Sequence, residues 1–205
     1  MKTLLLLHRT YRNRPPGTRL HILIRYLTAP FLRLLRAVPP ETRSLLEIGA
    51  GHGLFSRLVA ARGVPRVVAI EPDLRKIGKV DGVRSVAAFD TAIRGRFDAI
   101  AIVDVLYAIP VAAWDDLLVR AYERLNPGGV LLIKEMDPSS VKNRWNALQE
   151  QLSMRVLRIT MAETFNYESR EIFAARLERL GFTTVTSRRI DRGYPHPHLL
   201  YVATV

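Results

Sequence analysis

No cysteine occurs anywhere in the 205 residues. That absence excludes a disulfide framework, a thiolate zinc site, an iron–sulfur cluster and a thiol nucleophile together. Acidic residues are missing from the first forty positions, where Lys2, Arg9, Arg12, Arg14, Arg19, Arg25, Arg33 and Arg36 stand. Long apolar runs are missing too. Leu4–Leu7 is closed by His8-Arg9 and is too short for a signal segment or a membrane span, and no later stretch reaches a span's length without charge. The expected compartment is therefore the cytoplasm. Internal repeats and low-complexity tracts are absent as well.

What is present is the composition of an ordinary globular protein, 48% hydrophobic and 24% charged. A chain of this length buries a core without covalent staples and is most simply one domain. The net charge of +12 is uneven, because the residues after position 40 hold 23 basic against 19 acidic side chains. Residues 1–40 thus read as a basic helical arm and residues 41–205 as the domain proper. Such an arm suits an anionic partner: lipid headgroups, nucleic acid, an acidic carrier protein or a phosphorylated substrate. Within it, apolar residues from Leu20 to Val38 recur at helical spacing, interrupted by Pro30. The expected helix packs on the domain with Arg25, Arg33 and Arg36 in solvent. The alternative is a basic amphipathic helix that touches a membrane or roofs an apolar pocket.

From Ser44 the pattern alternates. Strands are predicted over Ser44–Ile48, Arg66–Ile70, Val83–Phe89, Phe97–Val103 and Val130–Lys134. Helices are predicted over Leu54–Arg62, Asp73–Val80 and Trp114–Leu125, the last ended by Asn126-Pro127-Gly128-Gly129. Alternation of this kind implies parallel strands with right-handed crossovers, a doubly wound α/β sheet. The last third reads as helices over Lys142–Thr160 and Glu168–Leu180, then strands over Phe182–Ile190 and Leu199–Val205. Their short connection requires an antiparallel hairpin.

The turn after the first strand reads Glu47-Ile48-Gly49-Ala50-Gly51-His52-Gly53. Gly49 and Gly51 allow torsions and a backbone approach that side chains would block, and Gly53 lets a helix start tightly. The helix amides beyond it favour a polar or anionic ligand group. Ligands of open α/β sheets bind beyond the carboxyl ends of the strands, where this turn lies. Glu71 ends the second strand, at the distance expected of an acid that reaches ribose hydroxyls. The pair reads as a site for an adenosine-containing cofactor. A dinucleotide site prefers G-x-G-x-x-G, whereas the glycines here are spaced G-x-G-x-G with an acid two residues ahead.

This turn resembles the E/D-x-G-x-G-x-G signature of the class I S-adenosylmethionine (SAM)-dependent methyltransferases, in particular their small-molecule members of methyltransferase types 11 and 12. The resemblance extends to Ile70-Glu71-Pro72-Asp73, to Phe97-Asp98-Ala99-Ile100 through Asp104-Val105-Leu106-Tyr107, and to Leu125-Asn126-Pro127-Gly128-Gly129. It implies a Rossmann-like sheet of seven strands, mostly parallel, with an antiparallel C-terminal hairpin. It implies SAM as cofactor, held by Glu47, Gly49, Ala50, Gly51, Gly53, Glu71, Pro72, Asp104 and Val105. Asp90 is the counterpart of the acid or amide near the adenine amino group; a solvated loop acid or a helix cap is the other reading. No metal is implied.

Displacement of methyl from a sulfonium depends largely on alignment, and a general base helps where the acceptor is a hydroxyl. Tyr107, His196 and His198 are the catalytic candidates, against packing or solvated roles. Glu135 and Asp137 are further pocket candidates, and His52 lies in the turn itself. An insertion over about residues 138–167, with Trp145, Met154, Met161, Phe165 and Tyr167, is expected to cap the acceptor pocket or to fill the core.

The expected acceptor is a small, hydrophobic or lipid- or carrier-linked molecule methylated on oxygen or carbon. The arm then provides a peripheral membrane or acidic-carrier contact. RNA methylation is the alternative, motivated by the charge, but the proline-bearing grip on a flipped base is absent from Asp104-Val105-Leu106-Tyr107. A non-catalytic SAM-binding subunit is the third reading, which the intact glycine turn disfavours.

Overall fold

The computed structural model describes residues 2–89, 93–137 and 168–205. Asp90, the expected helix over Lys142–Thr160 and the whole insertion, with its aromatic and methionine side chains, lie outside the described residues.

Among the described residues, seven strands form one sheet: β1 (Ser44–Ile48), β2 (Arg66–Ile70), β3 (Arg84–Val86), β4 (Phe97–Val103), β5 (Leu125–Met136), β6 (Thr183–Arg189) and β7 (His198–Thr204). Their order is β3-β2-β1-β4-β5-β7-β6. The first five are parallel, and β7 runs antiparallel to both β5 and β6. The chain order reverses between β1 and β4, so a crevice opens at the carboxyl ends of these two strands.

The helices are α1 (Lys2–Tyr11), α2 (Pro16–Thr28), α3 (Phe31–Ala37), α4 (Leu54–Ala61), α5 (Leu74–Ile77), α6 (Trp114–Glu123) and α7 (Arg170–Arg179), as numbered among the described residues. Alternation along the strands sorts the core into two layers. Leu45, Val67, Ala99, Ala101 and Leu132 face α1–α4, meeting Leu7, Tyr11, Phe31, Leu34, Phe55 and Leu58. Leu46, Ile70, Ile100, Ile102 and Ile133 face α6 and α7, meeting Trp114, Leu118, Phe173 and Leu177. The basic arm is therefore built into one face of the domain. Pro30 divides α2 from α3, as its fixed torsion and missing N–H require.

Three boundaries differ from the sequence expectation. The helix after β2 spans only Leu74–Ile77, because Gly78 leaves the helical region at φ +59°. Its start is capped by Asp73, whose carboxylate accepts the Arg75 N–H at 3.0 Å. The third strand is three residues long rather than seven. Asn126-Pro127-Gly128-Gly129 lies inside β5 as an irregularity between the pairs Phe97–Leu125 and Ala99–Val130. Pro127 has no N–H for the ladder, and Gly128 takes φ +73°.

Asp98 ties that irregularity to the start of β1. Its Oδ2 accepts from the backbone N–H groups of Arg43 and Ser44 at 2.9 Å each and from Ser44 Oγ at 3.0 Å, while Oδ1 accepts from Asn126 Nδ2 at 2.7 Å. Burial works against its charge, but the donors, Asn126 foremost, hold its carboxyl below the usual range. Asp98→Ala should lower stability by about 2–4 kcal/mol, since the donors lose a charged acceptor together. Urea unfolding checks this, and an unchanged midpoint refutes it.

Candidate active site

The crevice holds a cavity of 660 Å³, within the roughly 300–1,000 Å³ typical of small-molecule sites. Gly49, Ala50, Gly51 and His52 form its floor and Glu47 and Glu71 enter from β1 and β2. Val103, Asp104, Tyr107 and Ala108 line the β4 side, and Gly17, Thr18, His21, Ile22 and Arg25 of α2 form the roof. His21 and His52 meet edge to face, ring centroids 5.6 Å apart.

The three glycines of the turn do different work. A Cβ at Gly49, which has φ +72°, would collide with Val105 Cγ2, so this glycine is needed for packing of the turn on the loop after β4. A Cβ at Gly53 would press on Ile77 and Val80 at 3.1 Å; this residue caps α4 at φ +74°. Around Gly51, at φ +58°, a Cβ would meet nothing within 4 Å. The turn is thus close-packed from below and open toward the cavity.

Two acids support this floor. Glu71 Oε2 accepts the Gly51 N–H at 2.8 Å, and Oε1 accepts the Asp73 N–H at 3.3 Å. Glu47 is 2% exposed. Its Oε2 accepts the Ser56 N–H at 2.8 Å and the Ser56 hydroxyl, which joins β1 to the first turn of α4. Oε1 has no hydrogen-bond partner among the described residues. Burial pushes the Glu47 carboxyl up to about 7, the Ser56 donors oppose this, and the Glu71 charge adds to it.

The wall beyond the turn is an ionic cluster. Asp104, at the positive φ of +56°, follows β4. Its Oδ2 accepts from Arg25 Nη2 at 3.0 Å, and its Oδ1 pairs with the Lys134 ammonium. Lys134 is buried, its side chain 2% exposed. Burial opposes both charges and lowers the lysine's pKa; for Asp104, Lys134 and Arg25 outweigh burial and hold the carboxyl below the usual range. Arg25, expected in solvent, instead latches α2 across the cavity. Arg33 is likewise directed inward, donating to the Ile190 carbonyl at 2.9 Å and lying over Tyr194.

Of the residues expected to hold the cofactor, Glu47, Gly49, Ala50, Gly51, Glu71 and Asp104 line the cavity. Gly53 and Val105 stand behind it as packing partners. Pro72 is exposed and outside the lining, because the chain turns away after Glu71 toward the Asp73 cap. Of the three catalytic candidates only Tyr107 lines the cavity. His196 and His198 lie beside Lys134, with ring centroids 6.3 Å apart, outside the lining. His198 Nε2 is 3.4 Å from the Thr28 carbonyl, and its buried Nδ1 has no hydrogen-bond partner among the described residues. Burial, then the Lys134 charge, lowers it to about 3, so this ring stays neutral.

Glu135 is set behind the wall rather than on it. Its Oε1 accepts the N–H groups of Val105 and Leu106 at 3.0 and 2.9 Å, fixing the loop that carries Tyr107. Burial, then the Asp104 charge, raises its carboxyl to about 8. Asp137 is buried and 4.0 Å from Arg189.

Arg25, Lys134, Ser56 and His21 are site residues that the sequence reading missed. One signal existed: Lys134 ends an otherwise apolar, two-sided buried strand, and a lysine there requires an acid. Parallel register sets Val103 beside Lys134, so the next residue, Asp104, is that acid.

A family model for a methyltransferase domain, Methyltransf_23, matches residues 19–187. No curated protein matches the chain in sequence. Among solved structures, a SAM-dependent methyltransferase from Thermotoga maritima, described as a "possible histamine N-methyltransferase", superposes with a TM-score of 0.70 at 17% identity, over 97% of this chain and 99% of that one. The 1,6-didemethyltoxoflavin-N1-methyltransferase of Burkholderia thailandensis, solved with S-adenosylhomocysteine, gives 0.62 at 19% identity over 88% and 80%. An O-methyltransferase family protein from the same organism gives 0.66 at 16% identity over 92% and 58%. The matched group differs from types 11 and 12, but the class is the same. With the family model spanning most of its length, the chain belongs to the class I SAM-dependent methyltransferases.

Proposed function

We propose that the protein methylates a hydrophobic small molecule, free or carried on a lipid or acyl carrier, at an oxygen or carbon atom. The observation that carries this reading is the continuity of one cavity from Glu71, past the open face of Gly51 and the free oxygen of Glu47, to Asp104 and Tyr107. The residues fit the cofactor. Glu71 has acceptor capacity left for sugar hydroxyls, since each carboxylate oxygen carries two lone pairs. Glu47 offers a carboxylate to a cationic amino acid end. The cofactor, when bound, supplies a methyl group made electrophilic by its sulfonium.

The chain's own contribution is alignment and exclusion of water. Arg25 holds α2 over the cavity, Glu135 holds the Tyr107 loop, and Phe31, Phe55 and Val103 make the far wall apolar. Tyr107 lines the β4 side of the cavity, three residues beyond Asp104, and is the residue proposed to meet the acceptor. An apolar wall suits a greasy acceptor better than RNA. Arg14, Arg25 and Arg33 of the basic segment are engaged within the molecule: Arg14 donates to the carbonyls of Arg75 and Ile77.

Gly51→Arg should abolish SAM binding, because it combines a strained positive φ with a side chain placed in the open cradle. Calorimetry with SAM and with NAD decides it. Wild-type binding of NAD but not SAM overturns the assignment. Transfer of labelled methyl to lipids, acyl carriers and phenols, set against RNA, tests the acceptor class.

A further inference from the structure

Large apolar side chains are exposed at nine positions among the described residues, and six of them are Leu4, Leu5, Leu20, Leu23, Ile24 and Leu27 of α1 and α2. The remaining three are scattered over separate elements. Helical periodicity explains the concentration. Gly17, Thr18, His21, Ile22 and Arg25 turn one face of α2 to the cavity, which leaves Leu20, Leu23, Ile24 and Leu27 on the opposite face. Between α1 and α2 this surface dips into an apolar groove of 410 Å³. A clustered apolar patch of this kind marks an interaction surface, whereas single exposed leucines do not.

The charges around the patch identify the partner. Arg9, Arg12 and Arg19 are exposed, and none of them makes an ion pair or a side-chain hydrogen bond among the described residues. No acid stands in the first forty positions to oppose them. Exposed apolar side chains and unopposed arginines on the same short segment complement a bilayer with anionic headgroups: the leucines enter the acyl boundary while the guanidinium groups stay among phosphates.

We infer that α1 and α2 form a peripheral docking surface for an anionic lipid bilayer. The same helix, α2, then has the bilayer on one side and the cofactor cavity on the other. An acceptor dissolved in the membrane would meet the enzyme at this helix. The docking itself stands whether or not the acceptor is a lipid.

Flotation of the full chain with liposomes of equal phosphatidylglycerol and phosphatidylcholine, and with phosphatidylcholine alone, tests this. The protein should float with the anionic liposomes. Reversing Arg9, Arg12 and Arg19 to Glu should weaken that binding at least about a hundredfold, since three contacts of about 1 kcal/mol each amount to about two decades. Leu20→Glu/Ile24→Glu should abolish it while SAM binding persists, which shows the variant folded. Absence of flotation with anionic liposomes overturns the inference. So does equal flotation of wild type and the leucine-face variant, or a stable dimer that this variant dissolves and that does not float.

Discussion

Replacing Glu47 with glutamine should strengthen the cofactor-free fold and weaken SAM binding. Glutamine keeps an oxygen for the Ser56 N–H and hydroxyl, so the link between β1 and α4 survives. What it removes is a buried charge. The folded carboxyl titrates near 7, against an ordinary value of 4.5. Below the ordinary value both states are protonated and the group has no effect on stability. Between the two values the unfolded chain releases its proton while the folded one retains it, so stability falls as pH rises. Above the folded value the penalty is complete, of the order of 3 kcal/mol. Glu47→Gln should therefore raise the melting temperature at pH 8 by roughly 5–10 °C and leave it almost unchanged near pH 4. Loss of the carboxylate should weaken SAM binding by about ten- to a hundredfold, the value of one charge-assisted contact. Wild-type binding should also strengthen as pH rises through the Glu47 value, with proton release below it that the variant lacks. Melting curves at the two pH values and calorimetry in two buffers measure all of this. A variant that melts at or below wild type at pH 8 refutes the claim.

Much of the scaffold that bears Glu47 is legible in the sequence, because the physics of buried parallel strands leaves a plain pattern. Ser44–Ile48, Arg66–Ile70 and Phe97–Val103 are apolar runs bounded by polar or glycine residues, and each strand has those same limits in the structure. The glycine turn is legible because Gly49, Gly51 and Gly53 all take positive φ. Two features are hidden for identifiable reasons. Irregular pairing in β5 is accompanied by a bond from Asn126 to Asp98 across the sheet, a contact between residues far apart in sequence. The arm reads as basic and solvent-facing because composition counts arginines without their partners. Arg25 finds Asp104 seventy-nine positions away, a match that the folded topology alone creates. Pro72 and the two loop histidines show the converse. Neither adjacency to Glu71 nor a place in a loop near the strand ends directs a side chain into the cavity, since the chain turns away at Asp73 and His198 faces Thr28.

The largest loss of stability should follow from Asp104→Asn. The substitution leaves the Lys134 ammonium, 2% exposed, without its anion, and releases the Arg25 latch on α2. Stranding one member of a buried pair costs about 3–5 kcal/mol, enough to lower the melting temperature by roughly 10 °C or more. Replacing the partner as well should restore most of the loss. Lys134 borders a small cavity that it shares with Ala29, Pro30, Phe31, Leu34 and Val103, an apolar side on which a methionine can pack. Arg25, with a side chain 38% exposed, can turn to water once Asp104 is gone. Asp104→Asn/Lys134→Met should thus unfold within about 1–2 kcal/mol of wild type, and a double-mutant cycle should return a coupling of several kcal/mol. If the single and double variants are equally unstable, the pair is not what holds this wall together. Activity separates the two roles of Asp104. Because its carboxylate lines the cavity beside Tyr107, the double variant should stay poorly active although its fold has recovered. Wild-type turnover in that variant would reduce Asp104 to a counter-ion for a buried lysine.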